Sequence, residues 1–183
     1  ITGKANVFDA VVLSDYNKGF FFDKTFVKQI ISLLTKRNVK IFVDTKSLDI
    51  EKFKGATFIK PNNLELENAA GMKISTDADL DVAGKKYLEK SGAEALIVTR
   101  GPKGISLFEE GRVRKDFPAK EADVYDVTGA GDTVISMMAL AISCGLEAPK
   151  AIALANYAAS IVISKIGTVT CTREELLARI NEE

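Results

Sequence analysis

The chain has 183 residues, 46% hydrophobic and 27% charged, enough for one α/β domain around one core and unlike a disordered or low-complexity segment. Lys and Arg together number 25, as do Asp and Glu. No long block of one sign creates the field that draws nucleic acid or an anionic bilayer, so neither partner is expected. Histidine is absent, which excludes Ser–His–Asp triads, Cys–His pairs and His-ligated zinc together and leaves acid–base work to carboxylates, Lys or Tyr.

In chain order, apolar Ala10–Leu13 reads as a buried strand that runs into the polar loop Ser14-Asp15-Tyr16-Asn17-Lys18-Gly19. From Asp23 to Lys36 the positions Phe26, Ile30, Leu33 and Leu34 recur at helical spacing, with Asp23 as N-cap. Lys40–Val43 is a second strand, ending at Asp44-Thr45-Lys46, and Ala56–Ile59 a third, ending at Lys60-Pro61-Asn62. Helices are expected over 62–70 and 77–90, then a strand over Ala95–Val98 that breaks at Thr99–Gly104. Residues 105–117 read as a hairpin about the turn Glu109-Glu110-Gly111. The remainder reads as helices over 130–143, 148–165 and 173–180, the last capped by Thr172 with Glu175 placed for a capping box. Strands alternating with helices imply a mostly parallel sheet covered on both faces, with ligands at the carboxyl ends of the strands, where the polar loops fall.

No stretch is apolar for the roughly 18 residues of a membrane span, and the first ten residues lack a basic start and apolar run, so the cytoplasm is the expected location. Cys144 and Cys171 have no CxxC spacing and read as reduced thiols.

The segment Tyr125-Asp126-Val127-Thr128-Gly129-Ala130-Gly131-Asp132 leads straight into an apolar helix. Small residues at a helix start let a ligand approach free N–H groups, and the helix dipole adds to them, which is an anion hole in form. A carboxylate beside such a turn repels the anion unless it serves an incoming hydroxyl or a metal, and that pairing points to phosphoryl transfer. An ordinary glycine-rich turn with Asp132 at a helix N-terminus is the plain alternative. No G-x-x-x-x-G-K-[ST] occurs, and Gly129-Ala130-Gly131 lacks the third glycine of a dinucleotide turn.

These residues resemble the ribokinase-like, PfkB-type carbohydrate kinases. The family signature D-[TV]-x-G-A-G-D is matched by Asp126–Asp132, N-x-x-E by Asn62–Glu65, and T-x-G-x-x-G by Thr99–Gly104, in the family's order. Within the family the resemblance is strongest to the heptose-7-phosphate kinases of lipopolysaccharide-precursor synthesis. It rests there on L-S-D-Y-x-K-G at Leu13–Gly19, D-x-K at Asp44–Lys46 and V-Y-D-V-T-G-A-G-D-T-V at Val124–Val134. The fold it implies is α/β, a three-layer ribokinase-like sheet with helices on both faces, of which residues 1–183 form the C-terminal nucleotide-binding portion. The first strands, a glycine-rich substrate segment and a β-lid are expected upstream of Ile1, so the isolated chain is expected to be inactive, to expose apolar sheet and to form a homo-oligomer.

The resemblance makes Asp132 the base for a sugar hydroxyl and the backbone of Gly129, Ala130 and Gly131 the anion hole. Asn62 and Glu65 would hold Mg²⁺ through water beside ATP; a helix cap with a first-turn acid is the other reading. Thr99, Gly101 and Gly104 would shape the nucleotide pocket, with Asn156 and Gly167 near the adenine, though Asn156 at helical spacing reads equally as ordinary packing. Asp15, Lys18, Asp44 and Lys46 would meet substrate or phosphate, the alternative for the two lysines being solvated surface. A monovalent cation is bound in some relatives between the Gly167 loop and the residues matching Asp126 and Thr128; Cys171 is a poor ligand for a hard cation, so potassium stays open. Another sugar or nucleoside kinase, or a non-catalytic nucleotide-binding fragment, remains the alternative.

Overall fold

The computed structural model describes residues 8–182. Its elements are β1 (Ala10–Asp15), α1 (Lys24–Thr35), β2 (Lys40–Thr45), a 3-10 turn (Ile50–Phe53), β3 (Phe58–Ile59), α2 (Asn63–Ala70), α3 (Asp77–Ser91), β4 (Ala95–Thr99), a second 3-10 turn (Gly101–Lys103), β5 (Ile105–Glu109), β6 (Lys115–Phe117), α4 (Ala130–Ser143), α5 (Ala148–Ile163) and α6 (Arg173–Asn181). The six strands follow one another across one sheet in chain order. β1 to β4 pair in parallel, and the short link from β5 to β6 permits only an antiparallel return. By contacts the chain divides into two compact units, one of residues up to Arg100 with Ser106–Lys115, the other of Gly101–Ile105 with Asp116 onward.

The first unit is built on the parallel strands. α1 starts where the Asp23 carboxylate accepts the Thr25 and Phe26 N–H groups and buries Val27, Ile30, Ile31 and Leu34, an i, i+3, i+4, i+7 stripe; of the expected positions Ile30 and Leu34 lie on it, whereas Leu33 is half-buried and Phe26 exposed at its margins. These pack with Ile41 and Val43 of β2, Phe53 of the 3-10 turn, Leu80 and Tyr87 of α3, and Leu96 and Val98 of β4. Phe42 and Phe58 stack with ring centroids 5.1 Å apart on neighbouring strands. β3 is shorter than its apolar run because Thr57 places its hydroxyl, at 3.0 Å, where it accepts the Ile41 N–H, replacing a regular ladder bond. Gly84 of α3 lies under the Phe108 ring, where a Cβ would come within 2.4 Å.

The second unit is helical. α4 and α5 pack together, α4 burying Val134, Met138 and Ala141 and α5 burying Ile152, Ala155 and Val162, and α6 is held by the Thr172–Glu175 capping box. α5 stops at Ile163, not Lys165, because the last turn tightens: the Ser164 hydroxyl donates to Ile161 O at 2.8 Å and Lys165 N–H to Val162 O at 3.1 Å. Among the described residues no helix is long and apolar enough to cross a membrane.

Candidate functional site

The carboxyl ends of the parallel strands in the first unit carry Asp15, Asp44 and Lys46, with Lys18 on the loop after β1. Asp15 ends β1 with its side chain 2% exposed. Its Oδ1 accepts Asn17 N–H at 2.9 Å; its Oδ2 accepts the Thr45 hydroxyl at 2.9 Å and lies 2.8 Å from Lys52 Nζ. Burial raises the carboxyl's pKa, but the hydrogen bond from Lys52, those from Asn17 and Thr45, and the Lys52 charge together hold it below its ordinary value. Asp15 is therefore directed at the fold, and what this corner presents outward is the loop it holds. Lys18 is exposed on that loop, and Lys46 projects its ammonium over the Tyr16 ring, 5.1 Å from the centroid. Asp44 pairs at 3.0 Å with Lys60, whose side chain is 5% exposed.

Beside them, Thr99 at the end of β4 bridges to Asn62. Asn62 caps α2: its Oδ1 accepts Glu65 N–H at 2.9 Å while Glu65 Oε2 accepts Asn62 N–H at 2.8 Å. Glu65 Oε1 takes no part in the cap. Tyr87 is buried, and its phenol is pushed above its ordinary range first by burial and then by the charges of Glu65 and Asp44. Asn63 Oδ1 is buried without a hydrogen-bond partner. Among the described residues no group of three or more His, Cys, Asp or Glu could hold a metal ion directly. A carboxylate oxygen left outside the cap, beside an amide, suits a hydrated cation held through water and not a directly ligated one.

In the second unit Gly129 opens α4 with φ +81°, a left-handed conformation that glycine adopts without strain. A Cβ there would meet only Thr168 Cγ2, at 3.8 Å, so the turn needs glycine for its dihedral and not for space. The Ala130 N–H bends back to Val127 O at 3.2 Å, and the first regular helical bond is Thr133 N–H to Gly129 O at 2.9 Å. Gly131 and Asp132 keep N–H groups with no intrahelical acceptor, and Asp132 stands exposed in the first turn. Asp126 anchors the turn: Oδ1 accepts Thr128 N–H at 2.9 Å and Oδ2 accepts Gly167 N–H at 3.1 Å. The Thr128 side chain, then its N–H, with Gly167 N–H adding, hold this carboxyl below its ordinary pKa.

Gly104 lies against backbone, since a Cβ would come within 2.1 Å of Phe117 O, whereas Gly101 faces open space. Asn156 is buried in α5 and donates to Phe117 O at 3.2 Å and Pro118 O at 3.0 Å, so its amide ties that strand end to the helix. An open cleft of about 770 Å³ in the same unit is lined by Glu121, Tyr125, Ser160, Ser164 and Arg179 among others; it borders the segment leading to the glycine turn but not the turn itself. Lys52 and Lys60 are the charged residues that sequence reasoning missed. Lys60 follows the apolar run Phe58-Ile59 directly, but Lys52 stands beside Glu51 between Ile50 and Phe53, with nothing local to mark it as buried.

A mixed sheet whose parallel strands end in charged loops, with a glycine turn opening a helix farther along the chain, is an α/β, ribokinase-like fold. Solved structures agree: the Arabidopsis thaliana ribokinase complexed with ribose and ATP superposes with a TM-score of 0.85 at 24% identity, over 98% of this chain and 58% of that one. The Escherichia coli phosphofructokinase-2 in complex with potassium gives 0.81 at 18% identity, over 94% and 56%. Residues 17–175 match the pfkB family carbohydrate kinases, and the chain belongs to that family. Among curated relatives, the Bifunctional protein HldE of Hahella chejuensis is 42% identical over 174 residues, 95% of this chain and 36% of the relative. That of Shewanella loihica is 44% identical over 171 residues, 93% and 35%. The chain thus spans about a third of the length of these relatives.

Proposed function

We propose that this chain supplies the nucleotide-binding and proton-accepting part of an ATP-dependent kinase that phosphorylates a sugar hydroxyl, with heptose 7-phosphate as the sugar. The observation that carries the reading is the start of α4, where a left-handed Gly129 and free N–H groups at Gly131 and Asp132 stand with a carboxylate in the same first turn. The N–H groups and the helix dipole neutralise the oxygens of a transferring phosphoryl group, and such positioning and charge neutralisation supply most of the catalysis in this chemistry. The Asp132 carboxylate receives the proton of the attacking hydroxyl. Asp126 holds the turn in shape through its bonds to Thr128 and Gly167. ATP is the phosphoryl donor; Asn62 and Glu65 would hold Mg²⁺ through water, and the ion would supply charge neutralisation at the phosphates. Thr99, Gly101, Gly104, Asn156 and Gly167 shape the nucleotide side. Lys18 and Lys46 offer ammonium groups to the substrate phosphate, with Asp44 and Asp15 keeping those segments in place.

The heptose assignment rests on the loop sequences at Leu13–Gly19 and Asp44–Lys46 and on the relatives named HldE. A panel of sugars and sugar phosphates assayed for ATP turnover with the full-length protein tests it. Heptose 7-phosphate is expected to give the highest kcat/KM. A pentose or nucleoside ranked first overturns the substrate, and no sugar-dependent turnover with any acceptor overturns the kinase reading.

A further inference from the structure

We propose that Lys52, which lies outside every motif that marks the family, is a positioning residue for the sugar-phosphate loop, acting through the Asp15 carboxylate and the Phe21 carbonyl. The inference rests on the kinase reading above. Lys52 sits on the 3-10 turn Ile50–Phe53 with its side chain 2% exposed, its Nζ 2.8 Å from Asp15 Oδ2 and 3.0 Å from Phe21 O. The Phe53 ring lies 5.0 Å from the same ammonium. One cation thus grips both ends of the segment that runs from β1 to α1.

Between those ends the loop is held by further directed bonds. Asp15 Oδ1 accepts Asn17 N–H with Asn17 at φ +56°, and Phe22 N–H donates to Gly19 O at 3.2 Å. The loop carries Tyr16 and Lys18 outward. Thr45 donates to the Asp15 oxygen that meets Lys52, and Lys46 N–H donates to Asp15 O at 2.9 Å, so the Asp44–Lys46 strand end is keyed to the same pair. A lysine is seldom buried unless paired. An apolar pair of similar volume commonly stabilises a core as well as a buried ion pair does, so stability alone does not call for charges here. What an apolar pair lacks is directed bonds to two points of one loop, and this is what Lys52 provides.

The test uses the double variant Asp15→Asn/Lys52→Met. It removes both charges together, so neither is left buried alone, and it retains an acceptor for Asn17 N–H and the volume of the lysine stem. In the full-length protein the KM for the sugar phosphate is expected to rise about tenfold or more, as misplaced binding groups do, with the KM for ATP unchanged. Hydrogen exchange at Asn17 and Phe22 is expected to accelerate while α1 stays protected. Wild-type turnover accompanied by unchanged sugar KM, or by unchanged exchange in the loop, overturns the assignment and makes the pair plain scaffold. A parallel rise in both KM values also overturns it, because a general loss of structure gives that result. A wild-type protein without sugar-dependent turnover overturns the kinase reading itself, and with it the role given to Lys52.

Discussion

Replacing Gly104 by alanine should cost the fold far more than the same change at Gly101, although both belong to one glycine-spaced motif. Gly104 is buried with φ +81°, and an added Cβ would lie 2.1 Å from Phe117 O, 2.5 Å from Ala119 N and 2.7 Å from Pro118 C. The obstacle is backbone, and it is pinned, since Asn156 Nδ2 donates to Phe117 O at 3.2 Å and to Pro118 O at 3.0 Å. A left-handed residue with a Cβ costs about 1–2 kcal/mol, and overpacking against structure that yields poorly adds about 1–3 kcal/mol. Gly104→Ala should therefore lose about 2–5 kcal/mol. Gly101, at φ +57° with nothing within 4 Å, carries only the dihedral cost of about 1–2 kcal/mol. Urea unfolding of the two variants beside the wild type reads the difference directly. Equal losses within about 0.5 kcal/mol, the scatter of ordinary surface changes, would refute the packing argument and return both glycines to a purely ligand-facing role.

Further outcomes follow from the same geometry. Asp132→Asn keeps volume and a hydrogen bond but accepts no proton; kcat should fall by about 10²–10⁴-fold with ATP Kd nearly unchanged, and retention of more than about a tenth of kcat would remove Asp132 as the base. Asp15 has a depressed pKa in the folded state, so its contribution to stability is present above the ordinary carboxylate range and lost as pH falls through the folded value. Acid unfolding below about pH 4 should then be steeper in the wild type than in Asp15→Asn/Lys52→Met, and parallel curves would deny the shift. Burial, then the Glu175 charge, push the Cys171 thiol up against a smaller opposing pull from Lys165, while Cys144 is exposed; Ellman's reagent should label Cys144 first, and a single phase would contradict this.

Much of the fold was legible because its determinants are local. The Asp23 cap of α1, the Thr172–Glu175 box and the glycine turn before α4 lie within a few residues of what they fix, whereas the buried face of α1 lies about a third of a turn from the one its spacing suggests, with Val27 and Ile31 in place of Phe26 and Leu33. The shortened β3 was not legible, since the bond that interrupts it joins Thr57 to Ile41 across the ladder. The 3-10 turn at Ile50–Phe53 hid behind a single turn's worth of sequence, too short for any period to show. The site divides the same way. Motif residues were found by their match to the family's patterns, but Lys52 acquires its meaning from Phe21, 31 residues away, and Asp15 its environment from Thr45, 30 residues away. Strand pairing joins Asp15 to Thr45 and tertiary packing joins Lys52 to Phe21, so residues read as substrate contacts and residues that hold those contacts look alike in sequence.

Asn62 and Glu65 show that a scaffold role and a chemical one need not exclude each other. The capping box uses Glu65 Oε2 and leaves Oε1 outside it, so the side chain can close the helix and still turn a charged oxygen toward a hydrated ion. Glu65→Gln separates the roles, because glutamine completes a capping box as well as glutamate does and carries no charge. Thermal stability should stay within about 0.5 kcal/mol of the wild type. Affinity for Mg²⁺-bound ATP should weaken about fivefold, the worth of a water-mediated contact of ~1 kcal/mol, while metal-free ATP should bind no more weakly, since a negative charge has been taken from its surroundings. Titration calorimetry with and without Mg²⁺ measures both. If the variant loses stability and both affinities fall alike, Glu65 is a cap alone, and the metal must be held by another group.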